Sequence, residues 1–206
     1  MTITEIALLR LSLNISADDS SLRSKLTHAK DVMEGYTGRR FYYLQQVEDP
    51  KLLYIIGEWE SLDQHMNGFI PSADNQALLE CLKDNLSVEW LHHIDAPHSA
   101  LPLPTADGEP CFWSIGRHFI KPGQKEKFKE TFENTKQHVQ DLVTKGTIGG
   151  GWRMETEELD EFVLFTPWTD VEQHQAFAKT DGFKEYFKIT EYLDHADIKH
   201  AKLLEL

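Results

Sequence analysis

The sequence predicts an α+β fold: two tandem ferredoxin-like units whose antiparallel sheets pack face to face within one chain. Three observations carry that prediction. A phrase occurs twice, as Glu58-Trp59-Glu60-Ser61-Leu62-Asp63-Gln64-His65 and as Pro167-Trp168-Thr169-Asp170-Val171-Glu172-Gln173-His174, with six positions from Trp to His in each. The copies stand 109 residues apart in a chain of 206. The repeating unit therefore has about 100 residues, the size of one small domain. The apolar pattern gives each half the order strand, helix, strand, strand, helix, strand, which is the split βαβ arrangement. A four-stranded sheet with helices on one side leaves its other face bare, and the second half supplies the cover.

Residues 3–15 alternate as a strand does, with Glu5, Ala7, Leu9, Leu11 and Leu13 on one side and Ile6, Leu8, Arg10 and Ser12 on the other. Ser16-Ala17-Asp18-Asp19 predicts a helix start, with Ser16 as cap and acids in the first turn. Leu22, Leu26, Ala29, Met33 and Tyr36 follow at helical spacing, and Gly35 and Gly38 stop the run. Strands over 40–47 and 52–59 meet across the turn Glu48-Asp49-Pro50-Lys51. Ser61 opens a second helix, which Pro71-Ser72-Ala73-Asp74 interrupts and recaps before Leu78, Leu79, Leu82 and Leu86. Residues 88–94 form the fourth strand. The first unit is thus 1–95, and the proline-rich stretch 96–110 reads as a linker.

The second unit, 111–206, repeats the order. A strand over 112–120 turns through Lys121-Pro122-Gly123 into a helix with the stripe Phe128, Phe132, Thr135, Val139 and Leu142. The strand over 147–154 contains Gly149-Gly150-Gly151, where a bulge or the close approach of another segment is expected. After a strand over 161–167, Thr169 caps a helix, with Glu172 completing a capping box. Thr180-Asp181-Gly182 breaks that helix, Phe183, Tyr186 and Phe187 resume its apolar face, and residues 198–204 form the last strand.

Hydrophobic residues make up 40% and charged residues 27%, ordinary values for a soluble globule. No apolar run approaches the roughly 20 residues that span a bilayer. The first residues lack the basic stretch of a signal peptide. Two cysteines, Cys81 and Cys111, make no disulfide framework, so a reduced, cytoplasmic setting is expected. A net charge of −13, spread over both halves, repels phosphate backbones and argues against a nucleic-acid partner.

Glu58-Trp59-Glu60-Ser61, its echo Trp168-Thr169-Asp170 and the later Thr180-Asp181-Gly182-Phe183-Lys184 resemble the antibiotic biosynthesis monooxygenase family of the dimeric α+β barrel superfamily. The resemblance covers both halves outside the linker, and the strand order agrees with it. Most relatives build the barrel from two chains, so this one resembles a fused pseudo-dimer, either monomeric or a homodimer. The resemblance implies a cofactor-independent monooxygenase acting on an aromatic, polyketide-type small molecule in secondary metabolism, without metal or flavin. It places the pocket between sheet and helices of one half. The family's motif tryptophan matches Trp59 and Trp168. Where relatives carry a tyrosine six positions later, this chain has His65 and His174. Where they carry an asparagine four positions earlier, it has Ile55 and Leu164. Heme-degrading members need a ligand histidine and an extra tryptophan at places that hold Phe187, Asn67 and Ala176, so heme degradation is not expected.

Cofactor-free oxygenation needs a base, and an imidazole titrating near neutrality suits it. His65 and His174 share inward stripes, Leu62-His65-Phe69 and Val171-His174-Phe177; a hydrogen-bonded core histidine is the structural alternative. Trp59 and Trp168 are ring-stacking walls or packing anchors. Trp113, Ile115, Arg117 and Phe119 are assigned to the helix-facing side of their strand, and His118 to the opposite side. Arg117 there suits a substrate anion, or an ion pair with a nearby acid. The second half is richer in such residues. The expected site therefore has His174 as base, Arg117 as anion clamp and Trp168 as wall, with Trp113, Trp152, Phe177, Phe183 and Tyr186 around the substrate. His65 and Trp59 are the first-half counterparts. His92 and His93 point to opposite faces of a regular strand, so no metal is assigned. The alternatives are a non-oxidative cyclase, isomerase or decarboxylase at the same pocket, or a non-catalytic, stress-related binding barrel. Cavity volume separates them, since ligand sites run about 300–1,000 Å³.

Overall fold

In the first unit, β1 (Ile3–Leu11) pairs antiparallel with both β3 (Leu52–Trp59) and β4 (Leu86–Ile94). With β2 (Phe41–Gln46) against β3, the order is β4-β1-β3-β2. This is a computed structural model that describes residues 1–105, 108–155 and 158–206. It divides into residues 1–97 with 202–206, and residues 98–201. Both units are α+β, with ferredoxin-like strand and helix order, as the sequence predicts.

Helix α1 (Ser20–Thr37) begins at Asp19, whose carboxylate accepts from the Leu22 N–H. Ser16, the predicted cap, instead accepts from the Asp18 N–H in the preceding turn. The Asp19 carboxyl, three residues before the Leu22 N–H, takes the capping role. Leu22, Leu26, Ala29 and Met33 are buried along the helix, and Gly38, at φ 69°, ends it in the left-handed conformation. After β3 the chain makes one wide π turn, Gln64–Phe69, before α2 (Ala73–Leu82). Ser61 Oγ accepts from the Gln64 N–H at 3.1 Å, and Ser72 Oγ accepts from Asn75 N–H at 3.2 Å.

The second unit has the order β8-β5-β7-β6, from β5 (Phe112–Ile120), β6 (Gly149–Trp152), β7 (Asp160–Pro167) and β8 (Leu193–Leu203). Helices α3 (Lys125–Thr135) and α4 (Gln137–Gln140) share the predicted stripe. Next come α5 (Val171–Phe177) and α6 (Asp181–Tyr186). Asp170, one residue past the predicted Thr169, caps α5 by accepting from Gln173 N–H at 2.8 Å. β8 begins five residues before the predicted 198.

The pairing of β5 with β7 repeats that of β1 with β3 with every number raised by 109. Glu5 faces Gly57 as Ser114 faces Thr166, and Ile6 faces Ile56 as Ile115 faces Phe165. The helical turns differ: His65 to Phe69 is four positions, whereas His174 to Phe177 is three.

The predicted linker is only partly a connector. Residues 98–104 belong to the second unit, with Leu101 and Leu103 buried. The Trp113 indole N–H donates to the Pro102 carbonyl at 2.6 Å. A Cβ on Gly149 would lie 2.0 Å from the Ala100 carbonyl oxygen, so the triglycine answers to a close backbone approach. The last residues, 202–206, return to the first unit, where the Leu204 N–H donates to Tyr43 O at 2.8 Å. Among the described residues, no helix is long and apolar enough to cross a membrane.

Candidate active site in the first unit

The helix-facing row of β1 is Glu5, Ala7 and Leu9. With Tyr43 of β2 and Ile55 of β3, it floors a cavity of about 450 Å³ under α1 and α2. Leu26, Ala29 and Met33 of α1 form one wall, and His65, Phe69, Ile70 and Asn75 another. The partly exposed Leu79 and Val88 stand at its lining with Lys83. The volume lies within the range of small-molecule sites.

Glu5 is an acid in this apolar setting, 3% exposed. The Trp59 indole N–H donates to its Oε2 at 2.7 Å, and His65 Nε2 lies 3.7 Å from the same oxygen. His65 Nδ1 and His93 Nε2 are 2.7 Å apart, a hydrogen bond in which one ring must carry the proton. Trp59 stacks on the His65 ring at 4.0 Å and 9°, fixing its plane. Glu5 and His93 are cross-strand partners, so the sheet register brings that carboxyl and imidazole together, and the turn after β3 adds His65. Burial pushes the Glu5 carboxyl up to about 7, with the Trp59 hydrogen bond and the His93 charge pulling the other way. Near neutral pH the group holds both protonation states, as a proton-transfer residue must.

The second unit repeats the frame without the acid. Trp168 stacks on His174 at 4.8 Å and 13°, and His174 Nδ1 meets His200 Nε2 at 2.8 Å. The Trp168 indole N–H donates to Ser114 Oγ at 2.9 Å, where Trp59 donates to Glu5. The space is about 50 Å³, lined by Ser114, His118, Trp168, His174, Phe177 and Tyr186 among others. Phe128, Phe132, Phe162 and Trp152 pack together and occupy the rest. Burial, then the neighbouring His200, lowers the His174 pKa to about 4.

The structure therefore brings Trp168, His174, Phe177 and Tyr186 together, and Trp59 with His65, but separates them from Arg117. Ser114, Gly116 and His118 form the cavity-lining row of β5, so the predicted helix-facing row of Trp113, Ile115, Arg117 and Phe119 lies on the opposite face. β5 is buried on both faces, and its alternation carries no sign. Arg117 Nε and Nη2 bind Glu161 at 2.5 and 3.0 Å, the ion-pair alternative. His118 correspondingly lies on the cavity side, its Nδ1 3.2 Å from Phe162 O. Trp113 is fully buried, Trp152 stands under Lys125, and Phe183 packs edge-on against Phe177. Sequence reasoning passed over Glu5, Tyr43 and the His65–His93 pairing. The available signal was an acid in an otherwise apolar row, Glu5-Ala7-Leu9-Leu11. Among the described residues, no group of three or more His, Cys, Asp or Glu could hold a metal ion.

Residues 114–189 match the family model described as antibiotic biosynthesis monooxygenase. No curated protein matches the sequence. Solved structures share the fold over nearly the whole chain. A Fusobacterium nucleatum protein assigned as a monooxygenase aligns with TM-score 0.73 and 12% identity, covering 99% of this chain and 93% of its own. An anthrone oxidase-like protein aligns with TM-score 0.69 and 6% identity, covering 99% and 92%. A protein assigned as a chlorite dismutase aligns with TM-score 0.66 and 10% identity, covering 99% and 95%. At these identities the likeness is one of fold.

Proposed function

We propose, from the match of residues 114–189 to the antibiotic biosynthesis monooxygenase family, that the working pocket of this chain is the duplicate one in the first half. The observation that supports this reading is the Glu5 carboxyl, buried, poised near neutral pH and lining the 450 Å³ cavity. The proposed reaction is cofactor-independent oxygenation of an aromatic, polyketide-type ring with an acidic C–H, for which anthrone is the simplest test compound. Glu5 takes the proton from the ring carbon, and the C–H pair becomes the electron pair of an enolate. That carbanion reduces dioxygen and adds it, and loss of water gives the quinone. One anthrone and one dioxygen yield one anthraquinone and one water. His65 and His93 stand beside Glu5 and can pass the proton on; the apolar walls hold the ring.

Oxygen uptake with anthrone tests this. The wild type should consume oxygen, and Glu5→Gln should lose on the order of 10²–10⁴-fold in rate, the usual worth of a positioned base. Leu78→Trp, which fills the cavity, should abolish uptake as well. Full turnover by Glu5→Gln would end the assignment. Product formed without oxygen uptake would move the reading to the non-oxidative isomerase or cyclase class.

A further inference from the structure

Tyr43 has no task in the chemistry above. It is 2% exposed, and its side chain lies on the cavity floor. Across the sheet, the row Ala7–Ile55–Tyr43 is adjacent to the row His93–Glu5–Gly57–Phe41. Tyr43 and Glu5 thus face the same cavity from neighbouring rows. Ala7, between them on the floor, presents only a methyl group to the cavity, and the Phe41 ring lies over Gly57. Buried tyrosines elsewhere in this unit find partners: Gln46 Nε2 donates to the Tyr54 hydroxyl at 3.0 Å. Among the described residues, no protein group pairs with the Tyr43 hydroxyl, and it is not one of the polar atoms sealed away without a partner. It opens to the cavity. Burial, then the charge of Glu5, raises its pKa, so it remains an O–H donor across the physiological range.

A carboxyl base and a phenol donor facing one apolar cavity suit one kind of reactant. The geometry points to Tyr43 as the oxyanion donor of this site, and to a substrate that is an enolisable ketone or its phenolic tautomer, with its oxygen at Tyr43 and its acidic C–H at Glu5. The inference rests on the first-unit pocket proposed above. In the step, Glu5 carboxylate becomes the acid as it takes the proton. The C–H pair forms the new C=C bond, and the carbonyl π pair moves onto oxygen. The Tyr43 O–H keeps its own proton and hydrogen-bonds to that oxygen.

The test is a binding measurement that does not require Glu5 to act as a base. In the Glu5→Gln protein, where no carboxylate repels an anion, 4-nitrophenolate is titrated at mildly alkaline pH, with naphthalene as the neutral probe. Adding Tyr43→Phe should weaken nitrophenolate binding about 10- to 100-fold, the worth of a hydrogen bond to a charged group, and leave naphthalene within about twofold. Equal nitrophenolate affinity with and without the hydroxyl overturns the Tyr43 assignment and leaves the pocket standing. Failure of both probes to bind removes the pocket and the assignment together. The nitrophenolate absorption band should also shift to shorter wavelength on binding to the single variant Glu5→Gln. An unshifted band overturns the assignment even where the double variant does not fold.

Discussion

Replacing Glu5 by Gln should flatten the pH dependence of stability. The variant keeps the volume and an oxygen for the Trp59 N–H, and removes only the ability to ionise. In the folded protein the carboxyl titrates at about 7 against an ordinary 4.5, chiefly because it is buried. A raised folded pKa means that the folded state holds the proton more tightly. Its contribution is fully present below the unfolded value and is lost as pH rises through the folded one. The displacement corresponds to about 3 kcal/mol, or about 6–12 °C in Tm for a chain of this size. The groups facing the carboxyl, His65, His93, Trp59 and Tyr43, are the same in both proteins. The difference between the two curves therefore isolates Glu5. Thermal melts followed from about pH 4 to about pH 8 should show the wild type losing that margin and Glu5→Gln holding level by comparison. Parallel curves would refute the reasoning, because a carboxylate that ionises at no cost is not desolvated.

His174→Ala should leave anthrone-dependent oxygen uptake within about twofold of wild type, because the second-unit space of about 50 Å³ admits no ring; loss of turnover in steady-state assays would return the site to that half. Gly149→Ala drives a methyl into the Ala100 carbonyl, a backbone atom that cannot swing away, and should cost more than about 3 kcal/mol in denaturant unfolding of the second unit. Asp19→Ala removes the cap of α1 and should cost about 1 kcal/mol in denaturant unfolding of the first unit, with Ser16→Ala near neutral.

What could be read from the sequence was what is local. The doubled Trp-to-His phrase, the strand order and the glycine-rich strand each follow from residues a few positions apart, and each stands in the structure. The working half could not be read that way. Trp152 looks like pocket material in a sequence, yet it packs with Phe128, Phe132 and Phe162 from α3 and β7 in one apolar cluster. In the first unit the corresponding floor carries Ala7, whose significance appears only when α1 is laid over it. Arg117 fell on the wrong face because the larger apolar side chains of β5, Trp113, Ile115 and Phe119, share its row, while the cavity-facing row is Ser114, Gly116 and His118. The His65–His93 bond joins residues 28 apart, one in the turn after β3 and one on β4, which no spacing rule reports.

The wide turn Gln64–Phe69 holds one residue more than its twin between the histidine and the phenylalanine. A π turn absorbs an added residue as a local swelling, leaving the chain before and after it on course. Gene duplication would have produced two equivalent chambers. The difference in length stays inside that swelling, and the pairing of β1 with β3 keeps the same register as that of β5 with β7.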